Sequence, residues 1–227
     1  MSVLDFYYAP GACSLVSHIA LEEAGLAFDG HAVALMRGDN RHPAFLTMSP
    51  LGKVPVLVVD GQPLVETLAI VAWLQRVRPA AGLTPSRDDP FDAARDESLL
   101  SWFAATVHPI FTRFRVPPAI VGDPACFGPV VAHAAPALAQ SFGVAAAHLA
   151  DNPWLLGEWS IADAYLYWLW TEAVGAGFDA SAFPGLVAHA RRVAQRPSVQ
   201  RALARETAAV ADFVARGVSL PPSGPPG

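Results

Sequence analysis

The segment KVPVLVVDGQPLVET, residues 53–67, decides the fold. Two apolar runs flank an Asp-Gly dipeptide at positions 60–61, which predicts a β-hairpin closed by a tight turn. Glu66 and Thr67 follow the second run and open a stretch with helical periodicity. A hairpin that leads directly into a helix predicts the closing part of an α/β layer.

The chain before this segment supplies the rest of the layer. Apolar and aromatic residues at 3–8 predict a strand that stops at a Pro-Gly pair, and a helix then begins at Cys13 or Ser14. Residues 28–35 predict a second strand, and residues 43–48 predict a short helical turn. The predicted order is β-α-β-α-β-β-α over about 80 residues, which is an α/β architecture.

The second half of the chain predicts helices only. Its first long helix contains Pro109, which predicts a kink. The predicted helices cover residues 91–114, 130–150, 161–173, 186–195 and 199–216. The predicted organisation is an α/β domain at 1–79, a Pro/Gly-rich linker at 80–90, an all-helical domain at 91–217 and a flexible tail at 218–227.

Composition argues against several classes of function. The net charge of −5 disfavours an electrostatic grip on nucleic acid. No apolar run approaches the ~20 residues of a membrane-spanning helix, so no membrane partner is expected. Met1 leads straight into a strand rather than a signal peptide, so we expect a cytoplasmic protein. Two cysteines are too few for a disulfide framework, and the seven histidines lack metal-ligand spacing, so no metal site is expected.

The Cys13-Ser14 pair is the first candidate for chemistry. Both residues stand where a helix begins, and the unpaired N–H groups and dipole of a helix N-terminus favour a thiolate. The position therefore predicts a lowered cysteine pKa, or stabilisation of a bound ligand's sulfur. The alternative is that both residues only cap the helix. Val16 stands where the second cysteine of a Cys-x-x-Cys motif would be, which disfavours dithiol reductase activity.

Two further motifs have both a functional and an ordinary reading. A cis Val54-Pro55 bond would turn the backbone of Val54 outward to pair with an extended peptide, whereas a trans proline at a strand edge is the ordinary alternative. Thr67 could offer its hydroxyl and N–H to a carboxylate at a helix N-terminus, and Glu66 could accept from an ammonium group. The ordinary alternative there is a helix that starts with an acidic residue.

Taken in order, these motifs resemble the glutathione transferases, and the first resembles the bacterial beta class most. The resemblance covers nearly the whole chain and rests on YYAPGACS (7–14), PLGKVPVL (50–57) and ETLAIVAWL (66–74). It implies a thioredoxin-like domain followed by an all-helical domain. GEWSIAD (157–163) resembles the family's buried capping motif, in which Ser160 and Asp163 cap each other's backbone to support folding. Its Gly-to-Ser spacing is one residue shorter than usual.

The resemblance also implies a glutathione site. In that site Val54, before a cis Pro55, pairs with the cysteinyl unit, while Glu66 and Thr67 hold the γ-glutamyl end. Lys53 would bind the glycine carboxylate. The residues expected to assist Lys53 are Arg37, Arg41 and His42, and those expected beside the ligand sulfur are Cys13, Ser14 and Tyr8.

The helical domain would supply the pocket for a second substrate, a small hydrophobic electrophile. His108 matches a family histidine, but Pro109 replaces the lysine that often follows it. His108 is therefore either a pocket donor or a core residue beside a kink. The aromatic candidates for the pocket, most of which are expected to be core residues, are Trp102, Phe111, Phe114, Trp168 and Phe213.

The implied activity is conjugation or thiol transfer by a glutathione thiolate, with glutathione as co-substrate and a homodimer as the assembly. A mixed disulfide at Cys13 would instead favour thiol–disulfide exchange. A non-catalytic glutathione-binding or regulatory protein and a glutathione-dependent isomerase or dehalogenase are the alternatives.

Overall fold

The computed structural model of the protein describes residues 3–218. Contacts between residues divide the described chain into two compact units, residues 3–83 with 195–218, and residues 84–194. The strands of the first unit are β1 (Leu4–Tyr8), β2 (Asp29–Ala32), β3 (Val56–Val59) and β4 (Gln62–Val65), and its helices are α1 (Ser14–Ala24), α2 (Pro43–Leu46) and α3 (Thr67–Val77). The helices that follow are α4 (Pro90–Trp102), α5 (His108–Arg115), α6 (Phe127–His148), α7 (Ile161–Gly175), α8 (Pro184–Ala194) and α9 (Pro197–Ala215).

The four strands form one mixed sheet in the order β2-β1-β3-β4. β1 runs parallel to β2 and antiparallel to β3, and β3 pairs with β4 across the Asp60-Gly61 turn. The sheet order with α1 between two parallel strands is that of a thioredoxin-like layer, which confirms the predicted βαβαββα fold.

Alternate residues of the two central strands, β1 and β3, point to opposite faces of the sheet, and each face packs against a helix. On one face, Val56 and Val58 pack in a cluster with Phe45 of α2 and the partly buried Tyr7. On the other face, the ring of Phe6 lies 5.4 Å from that of His18 on α1. The sheet therefore holds α1 in a fixed position, and the N-terminus of α1 carries the Cys13 motif.

α9 belongs to the first unit by its contacts, whereas the sequence prediction assigned it to the helical domain. The physical reason is a pair of carboxylates on α1. Glu22 accepts from Arg201 (2.6 Å) and Arg205 (2.9 Å), and Glu23 accepts from Arg196 (2.8 Å). The rest of the predicted division, with its linker at 80–90, stays a prediction, and residues 219–227 of the predicted tail lie outside the described residues.

A π-helical segment, Phe103–Val107, lies between α4 and α5 just before Pro109, and the kink expected at Pro109 stays a prediction. Pro109 has no N–H for the carbonyl four residues back. The N–H of His108 donates instead to the carbonyl of Phe103, five residues back. The helix therefore absorbs the proline by widening one turn, as π-bulges do.

One described helix is longer and more apolar than the sequence analysis expected. By length and composition alone, the segment Pro124–His148 could cross a membrane, because its mean hydropathy is 1.3. This corrects the expectation that no apolar stretch approaches that length. One such helix is weak evidence for a membrane, because core helices pass the same test.

The predicted capping box at the start of α7 is confirmed. The fully buried carboxylate of Asp163 accepts from the Ser160 N–H (3.0 Å) and the Leu155 N–H (3.0 Å). The buried ring of His189 on α8 also bonds to this carboxylate at 2.9 Å. Asp163 thus joins the loop before α7 to α8 as well as capping α7.

Replacing Asp163 with alanine is expected to destabilise the protein by about 3–5 kcal/mol, because several buried polar groups lose their partner together. Denaturant unfolding followed by circular dichroism measures the change. Asp179→Ala is the matched control, since Asp179 is an exposed carboxylate that accepts from the Ser181 N–H at 2.9 Å. Equal losses for the two variants would contradict the structural role assigned to Asp163.

His18 is a buried polar group that the sequence analysis did not single out. Its ring packs against those of Tyr8 (4.8 Å) and Phe28 (5.6 Å), and neither ring nitrogen has a hydrogen-bond partner among residues 3–218. Burial, with the charge of Arg205 as a smaller contribution, lowers the pKa of His18 to about 3. The ring is therefore neutral in the folded protein at neutral pH.

A histidine whose pKa falls from about 6.5 in the unfolded chain to about 3 in the fold weakens stability in acid. Between these values the unfolded chain binds a proton that the folded protein does not, so the unfolding free energy falls as the pH falls. From about pH 7 to pH 5, wild type should lose about 2 kcal/mol more than His18→Phe. The control, His133→Phe, removes an exposed histidine and should follow wild type. Parallel pH profiles for wild type and His18→Phe would refute the assignment.

Candidate active site

The Cys13 loop connects β1 to α1, and two contacts define its geometry. The buried Ser14 hydroxyl accepts from the Ala9 N–H and donates to the Ala9 carbonyl, both at 3.1 Å. The Cys13 thiol donates to the carbonyl of Val54 at 3.5 Å. Ser14 thus closes the loop, while Cys13 faces the segment before Pro55.

The structure corrects the predicted direction of the Cys13 pKa. Burial raises the pKa of the thiol to about 11, and the carboxylate of Glu66 adds to the rise. The backbone N–H groups of Cys13 and Ser14 and the charge of Lys53 oppose it without outweighing it. Desolvation therefore outweighs the helix N-terminus, and Cys13 is a neutral thiol at physiological pH.

The predicted cis bond between Val54 and Pro55 is confirmed. Val54 is buried. The residue before it, Lys53, has its backbone N–H and carbonyl bonded to the hydroxyl of Ser49, and strand β3 begins at Val56, directly after Pro55. Within residues 3–218, no hydrogen bond is made by the N–H of Val54. This backbone donor is available to a ligand beside the Cys13 sulfur.

Glu66 and Thr67 lie where β4 ends and α3 begins. Glu66 is exposed and has a φ of 74°, an unusual left-handed value for a residue with a side chain. Such outliers cluster at functional sites. No side chain caps the first turn of α3, and its first residue, Thr67, is buried. An uncapped helix N-terminus is a suitable place for a carboxylate.

The predicted auxiliaries to Lys53 already have local partners. Arg37 makes a bidentate ion pair with Asp39, at 2.6 and 2.7 Å. The His42 ring accepts from the Ala44 N–H and caps α2. Arg41 reaches the Leu51 carbonyl at 3.4 Å. The side chain of Lys53 is exposed, and its positive charge acts to lower the pKa of Cys13.

Tyr8, expected across the loop from Cys13 and Ser14, contacts α9. Its hydroxyl donates to the carbonyl of Arg205 on α9 at 3.5 Å. Burial, followed by the charge of Glu206, raises the pKa of Tyr8 above its usual value. The phenol is therefore neutral and engaged with α9 rather than with the Cys13 loop.

Four of the predicted second-substrate residues fall into two aromatic clusters of the second unit: His108, Phe111, Phe114 and Trp168. Of the other two candidates, Trp102 packs 5.0 Å from Phe103, and Phe213 lies on α9 of the first unit. His108 bonds to the Tyr165 hydroxyl at 3.1 Å, and its ring packs 4.7 Å from that of Trp168, which also contacts Phe111 at 5.1 Å. Phe114 packs instead against Phe178, at 6.0 Å. The structure thus brings three of the four residues together. Phe111, Phe114 and Trp168 are buried.

One contact to the Cys13 loop was missed by the sequence analysis. The Gly11 N–H donates to the buried carboxylate of Glu206 on α9 at 3.0 Å. No local signal points to this pair, because 195 residues separate the two partners. The loop is therefore held by its own helix through Ser14 and by the last described helix through Glu206.

Comparison with known proteins identifies the family. Residues 11–77 match the model of the glutathione S-transferase N-terminal domain. The glutathione S-transferase GstA of Escherichia coli O157:H7 is 31% identical over 215 residues, which span 89% of this chain and 98% of the relative. The chain belongs to the glutathione S-transferase family. This membership confirms the resemblance that the three motifs carry.

Solved structures place the chain within the family more closely. The bacterial beta-class glutathione S-transferase of Sphingomonas chungbukensis is 35% identical, with a TM-score of 0.77 over 89% of this chain and 98% of that one. A sphingomonad glutathione S-transferase complexed with glutathione is 34% identical, with a TM-score of 0.78 over the same shares. Both agree with the beta-class resemblance. Residues 3–218 contain no cluster of three or more potential metal ligands.

The raised pKa of Cys13 is testable by alkylation with iodoacetamide. In a Cys126→Ser background only Cys13 reacts, since these are the two cysteines of the chain. With a pKa of about 11, roughly one thiol in 10⁴ is ionised at pH 7, so the rate should be very low and climb above about pH 9.

The exposed Cys126 in a Cys13→Ser variant is the matched control and should react faster than Cys13 at pH 7. A Cys13 rate that climbs with a midpoint below about pH 9 would show that the helix N-terminus outweighs burial.

Proposed function

We propose that this glutathione transferase binds glutathione against the Val54-Pro55 segment and directs its sulfur onto a hydrophobic electrophile. The carrying observation is the 3.5 Å contact between the Cys13 thiol and the Val54 carbonyl. It joins the start of α1 to the residue before the cis proline. The relative complexed with glutathione supports the ligand, because it shares the fold over most of the chain.

The tripeptide fits the donors and acceptors on this side of the sheet. The cysteinyl unit pairs with Val54, whose N–H is available. The γ-glutamyl carboxylate takes the uncapped first turn of α3 at Thr67, and the carboxylate of Glu66 accepts from the γ-glutamyl ammonium group. Lys53 binds the glycine carboxylate, with Arg37, Arg41 and His42 at longer range.

The state of Cys13 favours conjugation over thiol–disulfide exchange. Exchange by Cys13 requires its thiolate, which is scarce with a pKa of about 11. As a neutral thiol beside the ligand sulfur, Cys13 can instead donate a hydrogen bond to a glutathione thiolate. The proton of glutathione leaves to solvent, the sulfur forms a bond to the electrophilic carbon, and the leaving group departs with its electron pair.

Ser14 has a different part in this proposal. Both its donor and one acceptor site are used by Ala9, and its side chain is fully buried. We assign Ser14 to the shape of the loop and Cys13 to the ligand sulfur. Tyr8, at the end of β1, donates a hydrogen bond to α9 and so helps to hold the Cys13 loop in place.

The second substrate, the assembly and the location are part of the same proposal. The electrophile is small and hydrophobic, and the His108, Phe111 and Trp168 cluster is the candidate in the second unit for recognising it. A homodimer accounts for apolar side chains at the surface, among them Leu51 at 68% and Phe91 at 72% exposure. The location is the cytoplasm.

The test combines retention on immobilised glutathione with turnover of glutathione and an aryl halide. Glu66→Gln keeps the shape of the side chain and removes its charge, so the KM for glutathione should rise about tenfold or more. Glu97→Gln is the matched control, since Glu97 is an exposed carboxylate on α4, and its KM should stay at the wild-type value.

Each failure has a distinct meaning. Wild type that is not retained by glutathione would overturn the proposal as a whole. Retention without turnover of several electrophile types would favour the non-catalytic alternative. Equal KM values for Glu66→Gln and Glu97→Gln would remove Glu66 from the binding site while leaving the family assignment intact.

A further inference from the structure

A tight turn stands directly before Lys53 and Val54, the residues proposed to bind the glycine and cysteinyl parts of glutathione. The Gly52 N–H closes this turn by donating to the Ser49 carbonyl at 2.8 Å. The buried Ser49 hydroxyl accepts from the Lys53 N–H at 3.0 Å and donates to the Lys53 carbonyl at 2.9 Å. These bonds lie within residues 49–53, so they fix the shape of the turn and leave its position in the first unit to other contacts.

Asn40 attaches this turn to the chain that follows β2. Its side-chain amide donates to the Gly52 carbonyl at 2.7 Å. The segment around Asn40 is itself bonded back towards the sheet, since the Asp39 N–H donates to the Ala34 carbonyl at 3.3 Å. Because Gly52 is buried, its carbonyl needs a hydrogen-bond partner, which the Asn40 amide supplies. Asn40 therefore ties the backbone before Val54 to the residues that follow β2.

The close approach of the two segments requires a glycine at position 52. A Cβ added to Gly52 would stand 2.7 Å from the Asn40 carbonyl oxygen, nearer than side chains tolerate. The φ of Gly52 is +63°, in the left-handed region that favours glycine. The neighbouring bond between the segments is longer, because Arg41 reaches the Leu51 carbonyl at 3.4 Å. Asn40 and Gly52 are therefore matched to each other at two points, the hydrogen bond and the backbone contact.

We propose that Asn40 is a positioning residue for glutathione, which places Lys53 and Val54 by holding the carbonyl of Gly52. The inference rests on the proposed function, because it takes Lys53 and Val54 to bind the tripeptide. Without the Asn40 amide, the turn keeps its internal bonds and loses its attachment, so both binding residues shift together. A displacement of about 1 Å at such groups weakens productive binding strongly.

The expected effect falls on binding rather than on the chemical step. The Cys13 loop is held separately, by the hydroxyl of Ser14 and the carboxylate of Glu206. The sulfur of bound glutathione therefore still meets the start of α1. An interaction that is equally strong in the bound substrate and in the transition state changes KM and leaves kcat as it was.

Steady-state kinetics of Asn40→Ala with two thiols test the proposal in the full chain. The thiols are glutathione and γ-glutamylcysteine, which lacks the glycine carboxylate, and both react with the same aryl halide. The KM for glutathione should rise about tenfold with kcat within about twofold of wild type, whereas the KM for γ-glutamylcysteine should rise only about threefold. The two factors differ because γ-glutamylcysteine has no contact with Lys53 to lose. Glu66→Gln should instead raise both KM values by the same factor, since both thiols carry the γ-glutamyl end.

A second variant and two matched controls complete the test. Asn152→Ala removes an exposed asparagine of the second unit and should leave both KM values at those of wild type. Gly52→Ala disturbs the contact with Asn40 from the opposite side and should raise the KM for glutathione more than that for γ-glutamylcysteine. Gly82→Ala is its control, because Gly82 has a φ of +60° and no described atom lies within 4 Å of the added Cβ. This control adds similar backbone strain without the contact and should keep the wild-type KM.

The outcomes separate this inference from the proposed function. Wild type that is not retained on immobilised glutathione would overturn the proposed function, and the inference with it. If wild type is retained, an unchanged KM for glutathione in Asn40→Ala would overturn the positioning role alone. Equal rises in KM for the two thiols would overturn it as well, because a uniform loss indicates general destabilisation rather than a displaced Lys53.

Discussion

The position of α1 is the constraint on which the rest of this structure depends. Its first residues bring Cys13 to the Val54 carbonyl, and a shift of one helical residue, about 1.5 Å along the axis, would break that contact. The helix is held at its start by the Ser14–Ala9 hydrogen bonds and at its end by Glu22 and Glu23, which bind arginines of α9. Both ends are therefore fixed, and the loop between β1 and α1 cannot slide.

The chemistry at Cys13 follows from a competition between two opposing effects. A helix N-terminus stabilises a nearby anion by about 0.3–1 kcal/mol at the surface and up to about 2 kcal/mol in favourable sites. The rise of the pKa from 9.0 to about 11 corresponds to about 3 kcal/mol in the other direction. Burial outweighs the helix N-terminus because it removes water from the thiolate, and the negative charge of Glu66 adds to the rise of the pKa. The pKa of a bound glutathione thiol depends on a different set of charges, because glutathione carries its own ammonium group and two carboxylates.

The sequence predicted the features that depend on neighbouring residues. The hairpin, the order of strands and helices and the Ser160–Asp163 capping box all have local signals, and the structure contains each of them. The Val54-Pro55 cis bond is also present, but it was expected from the family resemblance, because the residues alone left a trans bond as the alternative. The direction of the Cys13 pKa was wrong because burial depends on the packed fold rather than on the residue's place in a helix.

The placement of α9 was missed for a related reason. Its arginines and the α1 carboxylates lie more than 170 residues apart in the sequence. Within its own segment, each charged residue has the pattern of a solvent-exposed helix face. Only the folded chain shows that Arg201 and Arg205 share Glu22, which is buried. Long-range ion pairs of this kind leave no periodic pattern in either helix.

The two halves of α9 carry different kinds of side chain along the same side of the helix. Positions 201, 205, 208, 212 and 216 recur every three or four residues and so lie along one side of the helix. The arginines at the start of this row bind Glu22 and so join α9 to α1. Further along, the row carries Ala208 beside Ala209, which border an open space at the β2 edge together with Gly30 and Ala32. Large charged side chains thus make the contact with α1, and small ones stand where α9 faces the β2 edge.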